Sequence, residues 1–303
     1  GHILPASLGT AGLEDPLDPF YAALTLPAFQ DAGSSQTCGS LDLYDVTFAW
    51  FQEKLQADKG ALELAREKLV EAQRVGFGAS GRNGGQLGSG QRVEQDALEK
   101  MVGRDAATRL WDLGEDAKAL VKSLIKTHDI DCHLKPGVAW TASSAGDVEH
   151  LHAYAGFLQD RYGYELIEVL DRDALRNVCA SPAYRGGILD MGAAHLHPLN
   201  LALGLARAAQ AAGVEIYERS AVHQITEGSP ATVQTDGGRV TADHVILACN
   251  GYLGGLNRKV AAKVMPINNF IVATEPLGDR VKDVLPRDVA VADSKFVVNY
   301  FRL

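Results

Sequence analysis

The residues best suited to chemistry stand close together. Between Gly76 and Gly90, seven glycines fall within fifteen residues, mixed with Ser80, Arg82, Asn83 and Gln86. Glycine lets a backbone approach a ligand closely, and polar side chains then fix its orientation, so the stretch reads as a ligand-lining loop. Gly76-Phe77-Gly78-Ala79-Ser80-Gly81 matches G-x-G-x-x-G literally. A dinucleotide turn needs a strand before that motif and a helix opening at it. Here Glu71 to Val75 is too polar for a central strand, and Arg82-Asn83-Gly84-Gly85 opens a helix only at a large entropic cost. A nicotinamide site is therefore the weaker reading. Ser80 and Ser89 lack the strand–elbow–helix setting of a nucleophile, which excludes hydrolase chemistry.

Three further residues are weak catalytic candidates: His197, Tyr300 and Arg302. His195 and His197 bracket Leu196, and on a strand such a pair faces one side, as metal ligands do. No cysteine or acid stands at a matching spacing, so no metal site is expected and a positional role at a helix start is favoured. Tyr300 and Arg302 alternate about Phe301 as strand residues would, and an arginine there could also grip a carboxylate bidentately. Trp111 and Trp140 read as core.

These groups need elements to position them. Residues 1–40 are rich in Pro, Gly, Ser and Thr and read as an irregular leader. From Leu41 to about Arg74, apolar residues recur at helical spacing, and Glu63, Glu67 and Glu71 share one solvated face at i,i+4. Two helices are expected over 92–129, the second from near Asp105. A strand at 137–141, a helix at 145–162, a strand at 165–169 and a helix at 171–178 follow. Next come a strand at 187–190, a helix at 198–212 with Pro198 in its first turn and Gly213 as its cap, and a strand at 214–218. Asp236-Gly237-Gly238 between two apolar alternations is a hairpin signal. Val245 to Ala248 reads as a buried parallel strand with a functional loop after it. Further strands are expected at 267–274 and 296–301.

Composition narrows the class. The chain has 303 residues, 46% of them hydrophobic, and a formal net charge of −9. That balance, with no basic block, argues against a nucleic-acid partner. No apolar run reaches the roughly 18 residues of a membrane span. Cys38, Cys132, Cys179 and Cys249 lie far apart with no C-x-x-C, which fits reduced thiols in the cytoplasm. Oligomeric state is open.

The run from Glu71 to Gln86, with its G-x-G-A-S-G-R-N-G-G core, resembles the signature of FAD-dependent amine oxidases. These are the D-amino-acid oxidase, glycine oxidase and sarcosine oxidase group, and the likeness is greatest to gamma-glutamylputrescine oxidases. His195-Leu196-His197-Pro198, Gly213 to Ile216, Val245 to Tyr252 and Ala273 to Leu277 support it in order and spacing. The resemblance implies an α/β fold in which a discontinuous, Rossmann-like FAD-binding domain (41–130 and 187–262) interleaves with a mostly antiparallel substrate domain (131–186 and 263–303). It implies that Glu71 holds the adenosine ribose, and that Ala79, Ser80, Arg82, Asn83, Gly84, Gly85 and Gln86 run beside the pyrophosphate and flavin ring. Val222 would offer its backbone to the adenine, and Ala248, Asn250 and Gly251 would form a short turn against the cofactor. The implied activity is oxidation of a small-molecule primary or secondary amine to an imine and then an aldehyde, with peroxide formation. It also places His197 near flavin and substrate.

Two departures from the family modify those expectations. The phosphate turn should lie about 20 residues before Glu71, yet Asp45 to Glu53 contains no glycine and carries Trp50 and Phe51. The sequence also stops at Leu303, where family members continue. Both lead to the expectation of weak FAD binding, and to an alternative in which the chain is a flavin-free, non-catalytic relative acting in folding or association.

Overall fold

The computed structural model describes residues 67–295 and 298–303. The expected leader over 1–40, the helix over 41–66 and the glycine-free window at 45–53 lie outside the described residues.

The largest sheet is built on one long strand. β5 (Gly186–His195) pairs antiparallel with β3 (Lys135–Ala142) along one edge. Along its other edge it pairs with β4 (Ile167–Leu170) near its start and with β2 (Gln86–Leu87) at its end. β10 (Ala290–Asp293) joins β3 in parallel, and β11 (Tyr300–Phe301) closes that edge antiparallel to β10. The mostly antiparallel sheet expected of a substrate domain is therefore present.

Successive residues of β5 point to opposite faces, and each face has its own cover. Ile188 and Ala142 pack on one side against Trp111 of α2 (Arg104–Thr127) and Leu151 and Leu158 of α3 (Ala145–Tyr162). Leu189, Ala139 and Val291 pack on the other against Leu175, Val178, Cys179, Leu285 and Val289. A third cluster joins Leu87, Ala194 and Leu196 to Val121 and Ile125 of α2 and Leu201 of α5 (Pro198–Ala211). It seats the end of β5 and the start of α5 against the glycine-rich loop.

Local chemistry sets the helix ends. Gly103, at φ +81°, separates α1 (Gln95–Val102) from α2. Ser144 accepts a hydrogen bond from the Asp147 amide at the start of α3, and left-handed Gly163 ends that helix. Pro198 opens α5, and Gly213, at φ +99°, follows its end. The Asp236–Gly237 turn joins β8 (Ala231–Thr235) to β9 (Gly238–Ala242), and β7 (Val222–Thr226) completes a three-stranded antiparallel sheet.

Several expectations are corrected. The helix carried through to Arg74 is replaced by β1 (Lys68–Val70), which pairs in parallel with β6 (Glu215–Tyr217). The shared glutamate spacing mimics a helix face, but Leu69 and Val70 are partly covered strand residues and Lys68 pairs with Glu215 across the ladder. Val245 to Ala248 is extended, with only Leu247 bridged and Ile246 46% exposed, so it lacks the two-sided cover a buried strand needs. Residues 267–274 form no strand: Phe270 and Val272 are exposed and no ladder runs beside them among the described residues. In the last stretch residues 296 and 297 lie outside the described residues, and among the others pairing is confined to Tyr300–Phe301. Trp111 is buried as expected, whereas Trp140 is partly exposed at the surface of β3.

Candidate functional site

β1 ends at Glu71, whose amide donates to the Tyr217 carbonyl and so extends the parallel pairing by one residue. The Glu71 Oε1 accepts the Gln73 amide at 2.8 Å, which turns the chain out of the strand with the carboxylate held at its carboxyl end. The Ser220 amide donates to the Glu71 carbonyl, and this contact leads directly into Val222 at the start of β7. Val75 donates its amide to the Glu218 carboxylate. Cys249 comes from far along the chain to the same place. Burial pushes its thiol up, and the nearby Glu71 carboxylate pushes it further in the same direction.

The loop then folds tightly over the start of α5. Gly76 takes φ +72°, and a side chain on it would strike Leu199 Cδ1 at 2.6 Å. A Cβ on Gly81 would lie 2.0 Å from the Gly76 carbonyl oxygen, so the two ends of the G-x-G-x-x-G run touch. Between them Ala79–Gly81 forms a single 3-10 turn. Asn83 locks it: its Nδ2 donates to the Ala79 and Ser80 carbonyls at 2.9 and 3.1 Å, and its Oδ1 accepts the Gly85 amide at 2.8 Å. Arg82 turns outward and lies over the Phe77 ring at 4.2 Å. Gly78 faces the ring of Tyr252, the last residue of the Asn250–Tyr252 turn. In that turn Asn250 takes φ +47° and its Oδ1 accepts the Gly251 amide. Glu71, Gly78 and the 248–252 turn thus meet at one end of the loop.

The other end meets the sheet. The Tyr300 ring packs on Gly84 so closely that a Cβ there would be 2.3 Å from it. Arg302 donates from Nε to the Gly84 carbonyl at 2.8 Å, and the Leu196 amide donates to the Gly85 carbonyl at 2.8 Å. Gln86 is buried in β2 opposite His195 and donates from Nε2 to the Val291 carbonyl at 3.2 Å. Two of the three weak candidates, Tyr300 and Arg302, therefore touch the glycine loop. The third, His197, is exposed and caps α5 by accepting the Asn200 amide on Nδ1 at 3.2 Å. The paired histidines do not face one way, since His195 is buried while His197 is exposed, and no group of ligands able to hold a metal occurs among the described residues.

Two clusters escape a reading by motif. The first surrounds His195, which is only 2% exposed and has neither ring nitrogen in a hydrogen bond. The Asp288 Oδ1 stands 3.7 Å from its Nε2, and Lys135 pairs with Asp288 at 3.3 Å. Burial lowers the imidazole pKa, the Asp288 backbone and carboxylate oppose that, and Arg302 and Lys135 reinforce it. The second cluster lies beside Ser89. Its hydroxyl donates to Asp190 Oδ2 at 2.6 Å and accepts from the buried Lys118 ammonium at 2.6 Å, while the Tyr164 hydroxyl donates to Asp190 Oδ1 at 2.6 Å. The only sequence signal for His195 is the H-x-H spacing. For the second cluster, a serine, a lysine, a tyrosine and an aspartate scattered over about a hundred positions give none.

The residues at the Glu71 end have the chemistry of a nucleotide site. A carboxylate at the carboxyl end of a parallel strand fits a ribose diol. The family model described as FAD dependent oxidoreductase (DAO) matches residues 61–303. The chain is 42% identical over 253 residues to the probable oxidoreductase OrdL of Rhizobium meliloti (strain 1021), covering 80% of this chain and 58% of that protein. It is 38% identical over 237 residues to the gamma-glutamylputrescine oxidoreductase of Escherichia coli (strain K12), covering 78% of this chain and 55% of that protein. Among solved structures, the L-proline dehydrogenase from P. horikoshii superposes with a TM-score of 0.52 at 16% identity, over 82% of this chain and 61% of that one, which is a likeness of fold. The chain thus spans little more than half the length of the curated relatives it matches.

Proposed function

Because the chain belongs to the DAO family of FAD-dependent oxidoreductases, we propose that it carries part of the site of an amine oxidase acting on a gamma-glutamylputrescine-like substrate. The observation that carries the reading is the convergence of Gly84, Gly85 and Gln86 with Tyr300, Arg302 and the end of β5. In this reading Glu71 holds the ribose, and Val222 with the Ala248, Asn250 and Gly251 turn borders the adenosine. Ala79, Ser80, Arg82 and Asn83 line the middle of the cofactor, while Gly84, Gly85 and Gln86 border the flavin ring. FAD, when bound, supplies the redox chemistry by accepting a hydride from the carbon that bears the amine. The chain itself orients the substrate and keeps water from the reacting carbon. Arg302, half-buried against the loop, is the cation for a substrate carboxylate, which gamma-glutamyl amines carry.

We propose that the FAD-binding part and the substrate part meet along β5, whose residues 187–195 fall in the first by the division given above yet pair with β3 and β4 of the second. The free thiols of Cys132, Cys179 and Cys249 support a reducing, cytoplasmic setting. The test is anaerobic mixing of the FAD-loaded protein with gamma-glutamylputrescine, putrescine and sarcosine. The expected result is bleaching of the flavin band by the gamma-glutamyl amine, and peroxide on admitting oxygen. Bleaching by none of the three would reject the amine reading.

A further inference from the structure

Proteins blunt exposed backbone edges with charges, prolines or a covering element, and an uncharged apolar edge left bare invites pairing. Residues 265–276 are exposed without interruption, and 264–274 carry no helix, turn or ladder. Met265, Ile267, Phe270, Ile271 and Val272 give the stretch its apolar character, with Phe270 90% and Val272 93% exposed. No charged residue falls within 265–274. Both ends of the stretch are seated. A Cβ on Gly251 would meet Pro266 at 3.6 Å, and beyond the far end the Gly278–Asp283 turn leads to buried Leu285. Between them the backbone of 265–274 makes no backbone hydrogen bond among the described residues.

We propose that this ribbon pairs antiparallel with the same ribbon of a second copy of the chain, about a two-fold axis through Asn269. The charges that bound the uncharged run select that partner and that register. They are Lys263 on one side and Glu275 on the other, each six residues from Asn269. Both are exposed, and neither is in an ion pair among the described residues. The axis therefore sets Lys263 opposite the partner's Glu275 at both ends of the ladder. A parallel pairing in register would set lysine against lysine, which disfavours it.

The proline fits the same register. Opposite residues in an antiparallel ladder alternate between pairs that exchange both hydrogen bonds and pairs that exchange none. With Asn269 as a bonded pair on the axis, odd-numbered residues bond and even-numbered residues do not. Pro266, which has no N–H to give, then falls at a non-bonding position opposite the partner's Val272. Ile267 stands opposite the partner's Ile271. The diagonal neighbours of Phe270 are the partner's Pro266 and the partner's Phe270, within reach of an aromatic side chain. Pairing thus takes out of water apolar groups that a single chain leaves in it.

The test is sedimentation of the full chain over roughly 1–100 μM, the range of a modest self-association, with hydrogen exchange of the 265–274 amides at both limits. Wild type should pass from monomer to dimer, and exchange in the ribbon should slow with it. Lys263→Glu and Glu275→Lys each put two like-charge pairs into the ladder and should weaken dimerisation about tenfold at low salt. The double variant restores opposite charges and should recover most of that loss. Ile271→Pro removes an amide at a bonding position and should leave the chain monomeric. A chain that stays monomeric throughout would overturn the proposal. So would a dimer indifferent to all of these variants. Ribbon amides whose slow exchange ignores concentration would also overturn it, by showing that the same chain covers the ribbon.

Discussion

Replacing Gly85 by alanine is expected to destabilise the protein by about 3–5 kcal/mol and to strip it of FAD. Gly85 takes φ +69°, and a Cβ there would sit 2.0 Å from the Leu196 carbonyl oxygen and 3.1 Å from Arg302 Nε. Neither the backbone of Leu196 nor the loop can retreat cheaply, because the Leu196 amide bonds the Gly85 carbonyl and Asn83 pins the Gly85 amide. The side chain would therefore force the loop away from β5 and break the join between its Gly84–Gln86 end and the sheet. Gly163→Ala is the matched control: it also has a left-handed φ, of +63°, but nothing lies within 4 Å of its Cβ. It should cost about 1 kcal/mol and leave the flavin spectrum unchanged. Urea melts and the flavin-to-protein absorbance ratio after desalting read both outcomes.

Asp190→Ala is expected to cost about 3–5 kcal/mol, the range for breaking a buried charged network by removing one partner. The carboxylate accepts from the Ser89 and Tyr164 hydroxyls and from the Gly192 and Ala193 amides. Without it the Gly192 and Ala193 amides lose that acceptor, and of the Ser89 and Tyr164 hydroxyls only one can donate to the other, 2.8 Å away. Lys118 keeps Glu115 at 2.9 Å, but its repulsion of Lys122 loses a counter-charge. At roughly 2–4 °C per kcal/mol for a chain of this size, the melting temperature should fall by about 10 °C. Asp190→Asn retains one acceptor oxygen and should fall by less. Equal losses in the two variants would show that the charge, rather than the accepted hydrogen bonds, matters. The same cluster holds Ser89, three residues after Gln86, so flavin retention should weaken in step with stability.

Elements with punctuation in their sequence were legible. The α3 and α5 helices have a serine or proline at the start and a glycine just past the end, and the β8–β9 hairpin has Asp236-Gly237 at its tip. Backbone conformations that only certain residues tolerate leave such marks. Strands whose identity depends on a distant neighbour leave few. β1 carries Lys68 amid helix-like charge spacing, and its strand character comes from pairing with residues about 147 positions away. β10 is a short run of alanine and valine that β3 and β11 turn into a buried strand. The opposite error arose at 267–274, where apolar residues suggested a strand but no ladder runs beside them among the described residues.

The candidate site divided in the same way. The glycine loop was visible because close backbone approach demands glycine, and Gly81, Gly84 and Gly85 each lack room for a side chain. Tyr300 and Arg302 were visible only as alternating residues, and their contact with Gly84 is a product of the fold. His195 looked like half of a histidine pair. Its solitude is a matter of burial, which the spacing of residues does not encode.

We propose that the Glu71 end and the Arg302 end of one glycine loop hold a single FAD molecule. The most direct measurement is the visible absorption spectrum of the protein after incubation with FAD and desalting, repeated with Glu71→Ala. Wild type should keep flavin bands shifted from those of free FAD, and Glu71→Ala should lose most of them while unfolding at nearly the same urea concentration. A colourless wild-type protein that still unfolds cooperatively would contradict the claim, and the chain would then stand as a flavin-free relative of its family.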